Sequence, residues 1–285
     1  MLLTILLSMG ASTLQASQPA QPSVTVFSHG LGGQGFHGGL YHTSSGQPNA
    51  FIQGPMTYFD YDDVQKPISS CLGQDADTAS LHKACQPLAK ADLLGVSRGA
   101  ATIVTYLAKY QPQNVELVIA ESPFDSVEGI VDDRTYGSGS LHHALPLIFR
   151  NYNPNGAQPI TNVERIDPEI PMLLICSEQD AVVPASSTKR LYYALRKANK
   201  PKVFLLETQY GDHANIIQGQ DGTMVRNVVH AFYQTHGKPH NPAWAAEGQA
   251  RFASCQPSEP ISWKQYLSSW WNSNWWNGSS SSSKK

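Results

Sequence analysis

The sequence predicts an α/β protein with a mostly parallel central sheet, and three observations point there. Short apolar runs that suit buried strands alternate with segments whose apolar residues recur at helical spacing. One such junction, Ala91 to Tyr110 (ADLLGVSRGAATIVTYLAKY), reads as strand, tight turn and helix around Gly95-Val96-Ser97-Arg98-Gly99. Acidic and histidine residues follow later strands in the order serine, acid, histidine.

The elements come in order along 285 residues, enough for one large α/β domain with appended sequence. Val24 to Phe27 is a β-branched and aromatic strand that ends in Ser28-His29-Gly30-Leu31-Gly32-Gly33. Phe36 to Gln53 reads as a surface loop, Met56 to Tyr61 as a strand and Asp77 to Gln86 as a helix. The acidic cluster Asp60, Asp62 and Asp63 reads as a solvated strand end or helix start rather than a metal site. Val115 to Ala120 is a buried strand leading into Glu121-Ser122-Pro123-Phe124-Asp125. Pro171 to Cys176 is another, leading into Asp180-Ala181-Val182-Val183-Pro184. A helix at Ser186 to Ala198, a strand at Lys202 to Leu206, the Tyr210 to Asn215 turn and a helix at Thr223 to His236 complete the alternation. Residues of about 126–168 are polar, weakly periodic and read as a short lid inserted over the site.

The residue chemistry follows from this placement. Glycines flanking Ser97 let two backbone segments approach closely, so the serine hydroxyl projects above the sheet as a nucleophile. Asp180 and His213 each follow a strand end, where ligands bind in open α/β sheets. A carboxylate there holds a histidine ring in the tautomer that accepts the serine proton. Glu121 and Asp125 are reserve candidates for that acid. The backbone N–H groups of Leu31 and Arg98 are the expected oxyanion donors. Gly30 to Gly35 also matches a dinucleotide-binding G-x-G-x-x-G, but no helix pattern opens on the third glycine. His29 reads as a brace for the glycine loop.

With HGLGG, GVSRG, DAVVP and GDHAN identified, the chain resembles the α/β-hydrolase superfamily, nearest its dienelactone hydrolase-like and esterase- or peptidase-like branches. The resemblance spans about Val24 to His236. It implies an α/β-hydrolase fold with helices on both faces of the sheet and a Ser97, His213, Asp180 triad working through an acyl-enzyme. It also implies hydrolysis of a carboxylic ester, thioester or amide, with a small-molecule or lipid-like acyl substrate and neither metal nor organic cofactor. Alternatives on the same frame are acyl transfer to an acceptor other than water, and an idle fold kept as a binding module.

Composition bounds the rest. A formal charge of −2 and only 15% charged residues leave no broad basic face for nucleic acid. Residues 1–20, apolar over Leu2 to Met9 and then small and polar, read as a secretory leader, so the expected location is outside the cytoplasm. No metal-ligand spacing occurs among the four cysteines, and their pairing is open. The hydrolase domain is expected over 21–240. Beyond it, 241–285 is a Trp/Ser-rich tail in which Trp263, Tyr266, Leu267, Trp270 and Trp271 share one helical face. Contact with a membrane interface, docking on the domain and disorder are its three readings.

Overall fold

The computed structural model describes residues 22–71, 73–135 and 142–255. Six strands, β1 (Val24–Ser28), β2 (Met56–Tyr58), β3 (Ala91–Val96), β4 (Val115–Glu121), β5 (Met172–Ser177) and β6 (Val203–Thr208), form one sheet in the order β2-β1-β3-β4-β5-β6. Every neighbouring pair is parallel. Parallel strands need crossovers, and the helices of these, with two more that follow β6, cover both faces. They are α1 (Gln74–Cys85), α2 (Arg98–Tyr110), α3 (Val127–Arg134), α4 (Leu145–Ile148), α5 (Ala185–Lys197), α6 (Gly222–Thr235) and α7 (Pro242–Ala253).

Side-chain alternation along each strand divides the core in two. Leu93, Val118, Leu174 and Cys176 face α1, α2 and α5. Leu94, Ile119, Leu173 and Ile175 face α6, α7 and the 3-10 segment Gly35–Tyr41. Both faces are covered, so the strands read as continuous apolar runs, and burying each such aliphatic side chain contributes roughly 1.5–3 kcal/mol. A smaller cluster of Ala101, Phe124, Val127, Leu145, Tyr152 and Val183 lies beneath the 126–168 insertion.

The strand order also fixes where a ligand belongs. From β1 the chain steps to β2 at one edge, then crosses back to β3 on the other side of β1, and continues in that direction to β6. The order reverses at β1/β3, and the crevice beyond the carboxyl ends of those two strands is the switch point of the sheet. The HGLGG turn follows β1, and Ser97 follows β3.

The structure departs from the sequence reading at the end of the domain and at the cysteines. Helix α7 begins at Pro242, past the expected domain end at 240, and packs against α6. Asn241 caps it by accepting from the Ala243 and Trp244 N–H groups at 3.0 and 3.2 Å, and Pro242 supplies a helical φ at the first turn. Ala245, Gly248 and Phe252 are its buried face, and the Cys255 carbonyl accepts from Leu205 N–H at 2.8 Å. The stripe is small and short, which is why the sequence pattern did not mark it. The second difference concerns cysteine: all four are buried free thiols. The leader expected over 1–20 and the aromatic face from Trp263 to Trp271 lie outside the described residues.

Candidate active site

Ser97 stands between β3 and α2 with φ 55° and ψ −120°, a region that L residues avoid. The turn around it is held by close approach. A Cβ on Gly99 would run into the Ser28 carbonyl, and one on Gly95 would come within 2.7 Å of Ala100. Only glycine fits at either place. The Ser97 N–H donates to the Glu121 carbonyl at 2.8 Å, which ties the turn to β4. Arg98 is the first residue of α2, so its backbone N–H has no partner within the helix and sits at the positive end of the helix dipole.

The structure brings the three expected site residues together. His213 Nε2 lies 2.8 Å from Ser97 Oγ, and His213 Nδ1 lies 2.8 Å from Asp180 Oδ2. With a carboxylate on one side and a hydroxyl on the other, the ring carries its proton on Nδ1 and accepts from the serine at Nε2. Asp180 Oδ1 accepts from the Val182 and Val183 N–H groups at 2.9 and 2.8 Å, and Ser122 Oγ donates to Oδ2 at 2.8 Å. Burial opposes ionisation of Asp180, but His213 and the two backbone donors outweigh it and hold the carboxyl below the usual range. Arg134 of α3 donates to the Asp180 carbonyl at 2.7 Å, so the insertion helps to hold the acid turn.

The reserve acids have other partners. Glu121 accepts from Tyr41 Oη at 2.7 Å and from Ile216 N–H at 3.2 Å. Asp125 takes both Arg190 Nε at 2.7 Å and Ser187 Oγ at 2.5 Å, away from the histidine.

On the β1 side, Gly30 lies against Ser97: a Cβ there would sit 3.4 Å from Ser97 Cβ and 3.9 Å from its Oγ. Leu31 is one residue on, in a turn closed by Gly33 N–H to Gly30 carbonyl at 3.1 Å. His29 is buried, with Nδ1 2.8 Å from the Gly30 carbonyl and Nε2 3.4 Å from Tyr61 N–H. Burial lowers its pKa, so it stays neutral and occupied as a brace.

Sequence reasoning missed the anchor of the elbow. The Arg98 guanidinium is buried, with Nε 2.7 Å from Asp77 Oδ2, Nη2 2.6 Å from Asp63 Oδ2, and its plane 4.4 Å above the Tyr61 ring. Asp63, expected at a solvated strand end, is buried in this network. Excess of acid near a buried arginine was the available signal, but the partners are 21 and 35 residues away in the chain.

A cleft of about 170 Å³ opens beside Ser97, between the glycine turn and the histidine turn. Leu31, Leu40, Tyr41, Val96 and Ile217 line it with the polar His37 and Asn215, and no Asp, Glu, Lys or Arg among the described residues reaches it. Among the described residues, no three His, Cys, Asp or Glu side chains converge as a metal set.

Comparison with known proteins completes the description. Residues 88–239, more than half of the chain and including Ser97, Asp180 and His213, match the prolyl oligopeptidase family. An uncharacterised Escherichia coli protein, YfhR, is 28% identical over 149 residues, which is 52% of this chain and 47% of that one. The chain thus matches about half the length of that curated relative. Among solved structures, an esterase from Pyrococcus furiosus superposes with a TM-score of 0.52 at 16% identity, covering 76% of this chain and 84% of that one. Acylaminoacyl peptidase from Pyrococcus horikoshii gives a TM-score of 0.54 at 15% identity, covering 81% of this chain and 40% of that one. At such identities these likenesses speak for the fold, an α/β-hydrolase fold. Family match, strand order and the serine elbow agree: the chain belongs to the prolyl oligopeptidase family of α/β-hydrolases.

Proposed function

We propose that the protein is a serine hydrolase that cleaves an ester, thioester or amide of a short, uncharged acyl compound. The unbroken hydrogen-bond chain from Ser97 through His213 to Asp180, 2.8 Å at each step, is the observation that carries this reading. Ser97 Oγ attacks the carbonyl carbon while His213 Nε2 takes its proton. The oxyanion is held by the N–H groups of Leu31 and Arg98, each contributing on the order of 3 kcal/mol. When the tetrahedral intermediate collapses, the leaving group departs with the proton from Nε2. Water then attacks the acyl-enzyme by the same route, releasing acid and free Ser97. Asp180 remains ionised throughout and stabilises the imidazolium.

The cleft supports the substrate class. An apolar cavity of about 150 Å³ accepts benzene. A cleft of about 170 Å³ with mostly apolar walls, and no Asp, Glu, Lys or Arg among its described lining residues, therefore suits a phenyl-sized or short-chain group. Membership in a peptidase family brings amides alongside esters as substrates.

A panel of p-nitrophenyl esters, thioesters and aminoacyl amides, run beside labelling by a fluorophosphonate probe, tests this function. Turnover is expected to be greatest for short uncharged acyl groups and to fall at least about tenfold for long chains that overfill the cleft. It should be lost in acid, because only a neutral imidazole accepts the serine proton. Labelling that survives Ser97→Ala, or a protein that neither labels nor turns over any of the panel, would refute it.

A further inference from the structure

Four backbone or side-chain contacts converge on two consecutive residues where β4 ends. The Glu121 carbonyl accepts the Ser97 N–H at 2.8 Å. The Glu121 carboxylate accepts the N–H of Ile216, three residues past His213, at 3.2 Å, and the Tyr41 hydroxyl at 2.7 Å. Ser122 Oγ donates to Asp180 at 2.8 Å, on the same oxygen that faces His213. We propose that Glu121-Ser122 is the positioning element of the site, setting the histidine turn and the acid turn against the nucleophile. This rests on the serine hydrolase reading, and it assigns both residues work that neither the triad nor the fold requires.

Geometry explains how two adjacent residues reach three turns. β4 is central in the sheet, with β3 and its serine on one side and β5 and its acid on the other. Leu117, Ile119 and Glu121 share one face of β4, so Glu121 turns toward the α6 side, where the histidine loop packs, and the strand ends there. The carbonyl of Glu121 remains in the ladder and bonds β3's extension. Ser122 adopts φ 49°, a left-handed conformation that a non-glycine residue keeps only where its surroundings hold it there. In that conformation its N–H still reaches the Ile175 carbonyl at 2.7 Å while its hydroxyl reaches Asp180.

Burial argues that these are not incidental polar contacts. Glu121 and Ser122 are 2% and 1% exposed, so no bulk water stands in for a lost partner. The Glu121 carboxylate has only neutral donors, Tyr41 and Ile216, and burial pushes its pKa up. An apolar side chain would satisfy the surrounding Ile119 and Ile175 layer at lower cost. A buried carboxylate joining the cleft wall to the histidine turn makes sense where the turn's exact placement matters, because displacements of about 1 Å cost catalysis heavily.

Glu121→Gln, Ser122→Ala and Tyr41→Phe test the proposal in the full chain. Glutamine has one acceptor oxygen and cannot serve both donors, alanine removes the bond to Asp180, and phenylalanine removes the cleft-side donor alone. With p-nitrophenyl butyrate, the first two are expected to lower kcat roughly 10- to 100-fold with KM within about twofold, and Tyr41→Phe a lesser amount, with fluorophosphonate labelling slowed in proportion. The low-field NMR resonance of the His213 Nδ1 proton should move or broaden in Ser122→Ala, a change that general destabilisation of a still-folded protein does not produce. Circular dichroism identifies any variant that fails to fold, and Tyr41→Phe, which leaves β4 intact, then carries the Glu121 arm. Folded variants with wild-type kcat and an unmoved resonance would overturn the positioning role. So would a raised KM at unchanged kcat. A wild type inert to esters and probe would refute the hydrolase reading instead, and the resonance would still report on the coupling.

Discussion

At the scale of single residues, Asp180 has the most heavily determined environment of the site. Four donors converge on its two oxygens: the Val182 and Val183 N–H groups, Ser122 and His213. Asp180→Asn replaces an oxygen with an NH₂ that opposes donors, and the His213 ring loses the partner that keeps the proton on Nδ1. Turnover is expected to fall on the order of a thousandfold or more, measured as kcat, with circular dichroism unchanged. Glu121→Gln should retain far more activity, and a reversal of that order would transfer the acid role to Glu121. The three residues of the proposed triad are legible in the sequence because each sits inside a local signal: glycines around Ser97, a strand end before Asp180, GDHAN around His213. Ser122, Tyr41 and Arg98's partners are not. Tyr41 meets Glu121 across 80 residues and Ser122 meets Asp180 across 58, so their pairing exists only once the strand order does.

Among the elements, strands and long helices follow from period alone, whereas α7 depends on one small residue. A Cβ on Gly248 would collide with the backbone of Asn227, so α6 and α7 approach more closely than side chains normally permit. That approach lets Phe252 reach Phe204 and Phe232, at ring-centroid separations of 4.8 and 5.8 Å, and completes the aromatic layer on this face. The sequence pattern does not mark α7, because a stripe of Ala, Gly and Phe has little hydrophobic contrast and its partner surface is made by α6. Gly248→Leu should force the helices apart and destabilise the fold by about 1–3 kcal/mol or more, seen as a lower thermal midpoint. A midpoint equal to wild type would mean that α7 docks loosely. The insertion shows the converse case: a weakly periodic segment gains order from a few long-range anchors, such as Arg134 on the Asp180 carbonyl.

Across the whole molecule, the two ends of the sheet are built for different purposes. The carboxyl ends carry Ser97, Asp180, His213 and the strained backbone at Ser97, Ser122 and Ala214. The opposite end is closed by an ion cluster in which Lys238 Nζ lies 2.6 Å from Asp92 Oδ1 and 2.7 Å from Glu116 Oε2, and Ser23 Oγ donates to Asp92 at 2.5 Å. Asp92 and Glu116 are the second residues of β3 and β4, so the cluster fastens the starts of the two strands whose ends hold Ser97 and Glu121. Burial raises the pKa of Asp92 despite Lys238 and Ser23, and removing the lysine leaves that carboxylate without a cation. Lys238→Met should therefore destabilise the protein by roughly 3–5 kcal/mol near neutral pH, the cost of breaking a buried pair from one side. The sign with pH follows from linkage. A carboxyl whose pKa is raised in the folded state contributes stability below its unfolded value, near 4, and loses it as pH rises through the folded value. The deficit of the variant should thus shrink as pH falls through the folded value of Asp92, and be least below about 4, as the carboxyl becomes protonated in the unfolded state as well. Thermal midpoints of wild type and Lys238→Met taken at several pH values measure this. At a temperature where both remain folded, kcat/KM should be unchanged, because nothing in the cluster touches the cleft or the three residues at the far edge. A loss of kcat/KM parallel to the loss of stability would show instead that the two ends of β3 and β4 are mechanically coupled.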